Sequence, residues 1–398
     1  MKRRFKFGLF GKVVVAIVLG AVLGMFAPDV AVRVFKTFNV FFAQVLKFVV
    51  PLLILALITP AIADVGRGAG KLLVSVLAGA YLSSVAAGFF AFGLSSQVFP
   101  GWLPTGVSAA AQGGREFLPY FTLKIPPLCD VMTALAFSFM AGIGMCVTGG
   151  AAIRKVFDDL AAIVKLTIEK AVIPLIPAYI FSMILEMSAA GKVGALMGAF
   201  LKVIGTGVVL SVLFLVVEYS LACAVARKNP FRCLWNMLPA YLTGFSISSS
   251  APVIPITLEG AKKSGVSAEI ADFVIPLCAT VHMPGSVIKM ATTVTAVAYM
   301  TGFGLTPALF ANFVFMQCIA AVAAPGVATG VLMASVGLLE SILGFSPEQT
   351  ALLMTIYLAL DGYGPACSVT ADGAIALTVD RFFGRRNDSA PLGIRNPK

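Results

Sequence analysis

Residues 279–286 read ATVHMPGS and residues 361–372 read DGYGPACSVTAD. Each sets a Pro-Gly or Gly-Pro pair inside an apolar segment, 268–302 and 350–381, where a spanning helix should run unbroken. Lipid cannot satisfy the N–H and C=O groups freed by such a break. Broken backbone at that depth therefore survives only where it is buried in protein or lines a water-filled cavity. Ahead of each broken segment stands another interrupted one, SISSSAPVIPITLEG (246–260) and AAVAAPGVATG (320–330), and each reads as a helix-break-helix hairpin. Two matching units of hairpin plus broken span point to an inverted-repeat transporter site.

The rest of the chain agrees with a membrane setting. It is 59% apolar and only 12% charged, with a mean hydropathy of +0.97, which excludes a soluble globular protein. Apolar runs at about 10–28, 38–62, 70–98, 126–148, 160–188 and 195–224 are each long enough to cross a bilayer as a helix. The stretch 100–124 is polar and Gly/Pro-rich and reads as an external loop. The first 24 residues read as the first helix rather than a cleaved signal.

The net charge of +11 comes from short basic clusters between apolar runs, with no continuous stripe, so nucleic acid is not the expected partner. Those clusters, among them Lys2-Arg3-Arg4, Arg154-Lys155, Arg227-Lys228 and Arg385-Arg386, place both termini in the cytoplasm of a bacterial inner membrane protein. The seven cysteines show no metal-ligand or C-x-x-C spacing and read as small packing residues.

Polar groups concentrate in the last third. Asp361, Ser368 and Asp372 stand at i, i+7 and i+11, one stripe of a helix, with the carboxylates about 16 Å apart along its axis. That is too far for a paired acid and base, and suits two separate sites for positive charge. An ionised Asp near the bilayer midplane costs roughly 2.5–3.5 kcal/mol and is usually kept for function. His282, the only histidine, shares a face with Ser286 and Lys289 if the break does not rotate it. It reads as a neutral ring bonded to freed carbonyls, a proton carrier or a substrate contact. Lys289 needs an anionic partner or water, and Asp361 and Asp372 are the candidate acids. Ser248, Ser249 and Ser250 either back-bond to helix carbonyls or converge on a carboxylate at a hairpin tip. Glu169, Lys170 and Glu218 read as local pairs or interface contacts.

These elements, in this order, resemble the dicarboxylate/amino acid:cation symporter family, which includes glutamate and neutral amino acid transporters. The likeness rests on the serine-rich first hairpin, on PLCATVHMPGS (276–286) against the family's P-L-G-A-T-x-N-M-x-G-[TA], on the A-A-P-G second hairpin, and on the eleven-residue Asp-to-Asp spacing. It implies an all-α protein of eight transmembrane helices plus two re-entrant helical hairpins, with inverted repeats, elevator motion and a homotrimeric assembly. Scaffold helices would occupy 1–68 and 120–190. The transport domain would take a third helix at 69–98 together with 191–382, leaving 383–398 as a cytoplasmic tail. By position, Ser249 and Ser250 would hold the substrate carboxylate and Asp361 its amino group, with Ser286, Gly364, Pro365 and Ser368 around them. Asp372 would ligate one sodium. Thr280 and Met283, with backbone from Cys318 to Ala321, would form a second sodium site, and Cys278, His282 and Ser368 belong to the cation-binding set.

The departures matter as much. Gly364 and Ser248 stand where family members place an arginine, so a bidentate clamp for a side-chain carboxylate is missing. Ser368 replaces an asparagine and Pro365 a threonine. His282 and Pro284 replace the asparagine and aspartate of the N-M-D motif, so a proton or a fixed cationic group stands where sodium would bind. The expected function is cation-coupled symport, by sodium or proton and without a cofactor, of a small carboxylate-bearing solute, a neutral amino acid. The alternatives are a dicarboxylate or acidic amino acid carrier using Lys289 as a substitute charge, and a non-transporting sensor. An enzyme is not expected, since no H-E-x-x-H, G-x-S-x-G or P-loop occurs.

Overall fold

A computed structural model of the chain describes residues 9–66, 71–105, 117–191, 193–247, 250–322, 330–359 and 362–384. Among these, every regular element is helical. The first part holds α1 (Leu9–Gly24), α2 (Asp29–Gly66), α3 (Lys71–Trp102), α4 (Val131–Thr148), α5 (Ala151–Thr167), α6 (Ile173–Ala189) and α7 (Val193–Ala226). The second holds α8 (Pro230–Ile247), α9 (Ile254–Lys263), α10 (Ala268–Val281), α11 (Pro284–Thr301), α12 (Pro307–Val322), α13 (Gly330–Ser341), α14 (Pro347–Ala359) and α15 (Tyr363–Phe383).

Among the described residues, four helical stretches are long and apolar enough to cross a membrane: Lys71–Trp102, Lys170–Ala189, Gly198–Ala226 and Ala268–Thr301. Pro347–Leu358 and Tyr363–Phe383 meet the same test only when taken together, as a pair inclined by 66°. The run expected at 160–188 is the later part of a longer segment. Helix begins at Ala151, carries Arg154, Lys155, Asp158 and Asp159, and continues through a π-turn at Ile168–Val172 into α6. Pro174 and Pro177 lack the N–H that would keep regular α-helical bonding there. The external stretch begins after Trp102; residues 117–130 are irregular and end at Asp130, whose carboxylate accepts from Thr133 N at 3.0 Å and caps α4.

Two sets of contacts organise the helices. In one, α1 lies on α6, and α2 touches α4, α5 and α6; in the other, α3 lies on α11, while α7, α8, α9, α10 and α11 surround α15. The helix pairs α8/α9 and α12/α13 each pack together, as the interrupted segments predict. The base of the first pair is fixed by Lys228 Nζ, which donates to Ser264 O (2.9 Å) and Gly265 O (2.7 Å). Asp380 Oδ1 holds the chain just beyond by accepting from Ser267 N and Oγ.

Small residues let backbones approach where no hydrophobic effect drives association. A Cβ at Gly24 would lie 2.5 Å from both Leu185 O and Ser188 Cβ, whereas nothing stands within 4 Å of one at Gly144. Gly24→Val should therefore separate α1 from α6 and cost about 1–3 kcal/mol. Melting in detergent micelles should show a clear fall for Gly24→Val and none for Gly144→Val.

Candidate functional site

The break between α10 and α11 is narrow. His282 leaves helical geometry at φ −103°, ψ 105°, and Met283 follows at φ −128°, ψ 46°, before Pro284 starts α11. Part of its polar backbone is bonded locally: His282 N donates to Cys278 O (2.8 Å), Val287 N to Met283 O (3.0 Å), and Pro284 has no N–H to satisfy. Gly285 N crosses to α15 and donates to Ser368 Oγ at 3.2 Å.

The start of α15 closes on this break. A Cβ at Gly285 would lie 2.1 Å from Gly364 O and 2.6 Å from Cys367 Cβ. One at Gly362 would lie 2.4 Å from Phe245 O, which brings the end of α8 onto the same place. Ser250, Ser286 and Pro365 remain partly exposed, whereas the rest of the break and of early α15 is buried. The serine cluster's Ser248 and Ser249, and Asp361, lie outside the described residues, as does the second hairpin's tip at 323–329.

One face of the break carries a chain of hydrogen-bonding groups drawn from four places. Glu218 of α7 accepts from Ser83 Oγ of α3 at 2.5 Å, and Ser83 Oγ lies 3.0 Å from His282 Nε2. His282 Nδ1 lies 2.9 Å from Asp372 Oδ1 of α15, and Glu218 Oε1 also stands 3.7 Å from Nε2. The ring and Asp372 are each about 1% exposed. Asp372 Oδ2 and Glu218 Oε2 find no hydrogen-bond partner among the described residues.

The proton count of this chain is informative. Three contacts join four groups, and a serine hydroxyl with a neutral imidazole brings only two protons. A hydrogen bond at all three contacts needs one more proton, on the ring or on a carboxyl. Cys278 Sγ stands within 4.8 Å of the His282 and Asp372 donor atoms. The unpartnered Asp372 Oδ2 is the hard oxygen that a small alkali cation would seek, while the thiol and imidazole are softer donors.

Lys289 takes another direction. It is 2% exposed, and its Nζ lies 3.8 Å from the centroid of Tyr357 and 5.9 Å from that of Tyr363. A Cβ at Gly364 would meet Lys289 Cδ at 3.5 Å, so the lysine stem occupies the space beside that glycine. His282 and Lys289 thus do not act on one face: the non-helical backbone at 282–283 turns the ring toward α3 and α15. Asp372, one of the two acids expected to partner Lys289, bonds to His282 instead.

Of the other expected residues, Ser368 lies at the Gly285 contact, Met283 and Cys318 are buried, and Thr280 is exposed with its hydroxyl donating to Leu277 O at 2.7 Å. Glu218, read from the sequence as a local pair or an interface contact, reaches Ser83 on another helix and faces the histidine. Ser83 carried no sequence signal beyond a hydroxyl in an apolar run. Glu218 did carry one, because the rest of α7 holds no charge except Lys202 near its start.

Gly285→Ala should disrupt the contact of the two breaks, since the new methyl meets backbone rather than a movable side chain. Its melting temperature should fall by several degrees, while Gly304→Ala, with open space around it, should leave stability unchanged.

The family model described as "Sodium:dicarboxylate symporter family" matches residues 9–382, nearly the whole chain and every residue named at this site. The protein is an integral membrane member of the sodium:dicarboxylate symporter family.

Proposed function

We propose that this protein is a secondary active symporter that moves a small solute carrying two anionic groups, a dicarboxylate or an acidic amino acid, together with a cation. The observation that carries the solute class is Lys289, whose buried ammonium rests on Tyr357 and whose stem fills the space beside Gly364. A lysine contributes a point charge rather than a bidentate fork, so it would select by charge more than by shape. One carboxylate of the solute would meet the hydroxyls of Ser250 and Ser286 and the amide-rich helix starts, and the second would lie toward Lys289. In the eight-span organisation that the family likeness implies, α8/α9 and α12/α13 would be the re-entrant hairpins. The helices gathered on α15 would move as the transport domain of a homotrimeric elevator.

Coupling follows from two tethers. The 282–285 break is joined to α15 through Gly285 N to Ser368 Oγ and through His282 Nδ1 to Asp372 Oδ1, one helical turn apart on α15. A solute seated near Ser286 and Gly364 would press on the first tether, and a cation at Asp372 would act on the second. Neither group could bind without altering the other's surroundings.

The test is uptake into proteoliposomes from a panel of dicarboxylates, acidic amino acids and neutral amino acids, with sodium and proton gradients imposed separately. Accumulation of an acidic solute under one of them is expected; no accumulation of any member under either would end the reading. Lys289→Met should lower uptake of the acidic solute at least tenfold, about 1.4 kcal/mol, and shift preference toward neutral amino acids. Unchanged selectivity would return the neutral amino acid to first place.

A further inference from the structure

We propose that Glu218 is a coupling residue: with Ser83 it forms the outer half of a cation-holding site, so that the His282 ring lies between two carboxylates rather than beside one. This rests on the symport reading above and deepens it.

The geometry supports the assignment from both ends. Glu218 Oε1 is 2.5 Å from Ser83 Oγ and 3.7 Å from His282 Nε2, on the side of the ring opposite Asp372. Its side chain is 11% exposed, and Oε2 finds no hydrogen-bond partner among the described residues. A carboxylate placed within an apolar helix and left half satisfied is costly, and such groups persist where a positive charge is to be held. Two carboxylates around one imidazole leave the cluster in need of positive charge. A proton shared along Glu218, Ser83, His282 and Asp372 would supply it, and so would a small cation at Asp372 Oδ2. Both sources use the same negative charge, and Glu218 contributes half of it.

A merely structural clamp would behave differently. Glutamine at 218 still offers an amide oxygen to Ser83, so a clamp would survive Glu218→Gln, whereas a site that needs the carboxylate's charge would not. The distinguishing measurement compares two activities of the same purified protein in proteoliposomes held at zero membrane potential. Exchange of labelled for unlabelled solute needs no net cation movement. Accumulation against a gradient does, and each coupled monovalent cation contributes about 1.4 kcal/mol per tenfold gradient.

With a tenfold gradient, Glu218→Gln should lower steady-state accumulation about tenfold, the loss of one coupled cation, and remove the dependence of exchange on that cation's concentration. Glu218→Asp should restore part of the accumulation, and Ser83→Ala should lie between. The sodium-only and proton-only arms show which cation the charge holds. Parental accumulation in Glu218→Gln would overturn the assignment. So would equal loss of exchange and accumulation with no rescue by aspartate, which would mark Glu218 as a packing residue. Failure of the parent to accumulate any solute under either gradient would instead strike the symport reading itself.

Discussion

A chain that leaves the helix inside a bilayer must find partners for its freed backbone within the protein, and this constraint shapes everything around residues 282–285 and 362–365. The solution is mutual burial. Gly285 brings the start of α11 to a distance from the Gly364 carbonyl of α15 that no side chain at 285 would allow, and Gly285 N is satisfied by Ser368 Oγ across the contact. Pro284 helps by having no N–H to place. Gly362 extends the same logic to the end of α8, whose Phe245 carbonyl sits where a Cβ would be. Glycine here serves close approach: the tight places are backbone against backbone, which no rotamer change can relieve.

Once the breaks are sealed together, ionisable groups can be held beside them at a depth where an isolated charge is expensive. The negative groups and the histidine lie on one side, bridged through Ser83 and reaching α3, α7 and α15. The lysine lies on another, against Tyr357 and Gly364. The non-helical conformation of His282 and Met283 separates them, because it turns the ring out of the register that α11 would otherwise impose. Without the break, His282 and Lys289 would be seven residues apart on one face.

Much of this was legible in the sequence, for physical reasons. Proline and glycine in apolar segments announce broken spans because lipid makes such breaks conspicuous, and the helix pairs α8/α9 and α12/α13 fall where the interrupted segments predict them. Asp372 and Ser368 were visible because carboxylates and hydroxyls at helical spacing share a face. The direction of the histidine was not, since it depends on two dihedral pairs at the break. Nor was the Ser83–Glu218 contact, which joins helices 135 residues apart in sequence. A lone glutamate in an apolar helix signals that a partner exists and does not say which helix supplies it.

The separation of charges bears on how strongly a solute and a cation would sense one another. Two non-helical residues and the first turns of α11 separate Lys289 from the His282–Asp372 pair, a backbone distance on the order of 10 Å. At that distance and an effective dielectric of about 20, an anion bound near the lysine and a cation held near Asp372 would attract by roughly 1.7 kcal/mol. Coupling free energies between sites in proteins typically fall at about 1–3 kcal/mol, so direct electrostatics alone reaches the needed range without any further rearrangement. Linkage requires the effect to run both ways: the solute would raise affinity for the cation by the same factor that the cation raises affinity for the solute. The two hydrogen bonds that join the break to α15 add to this direct term, because each lies beside one of the two charges.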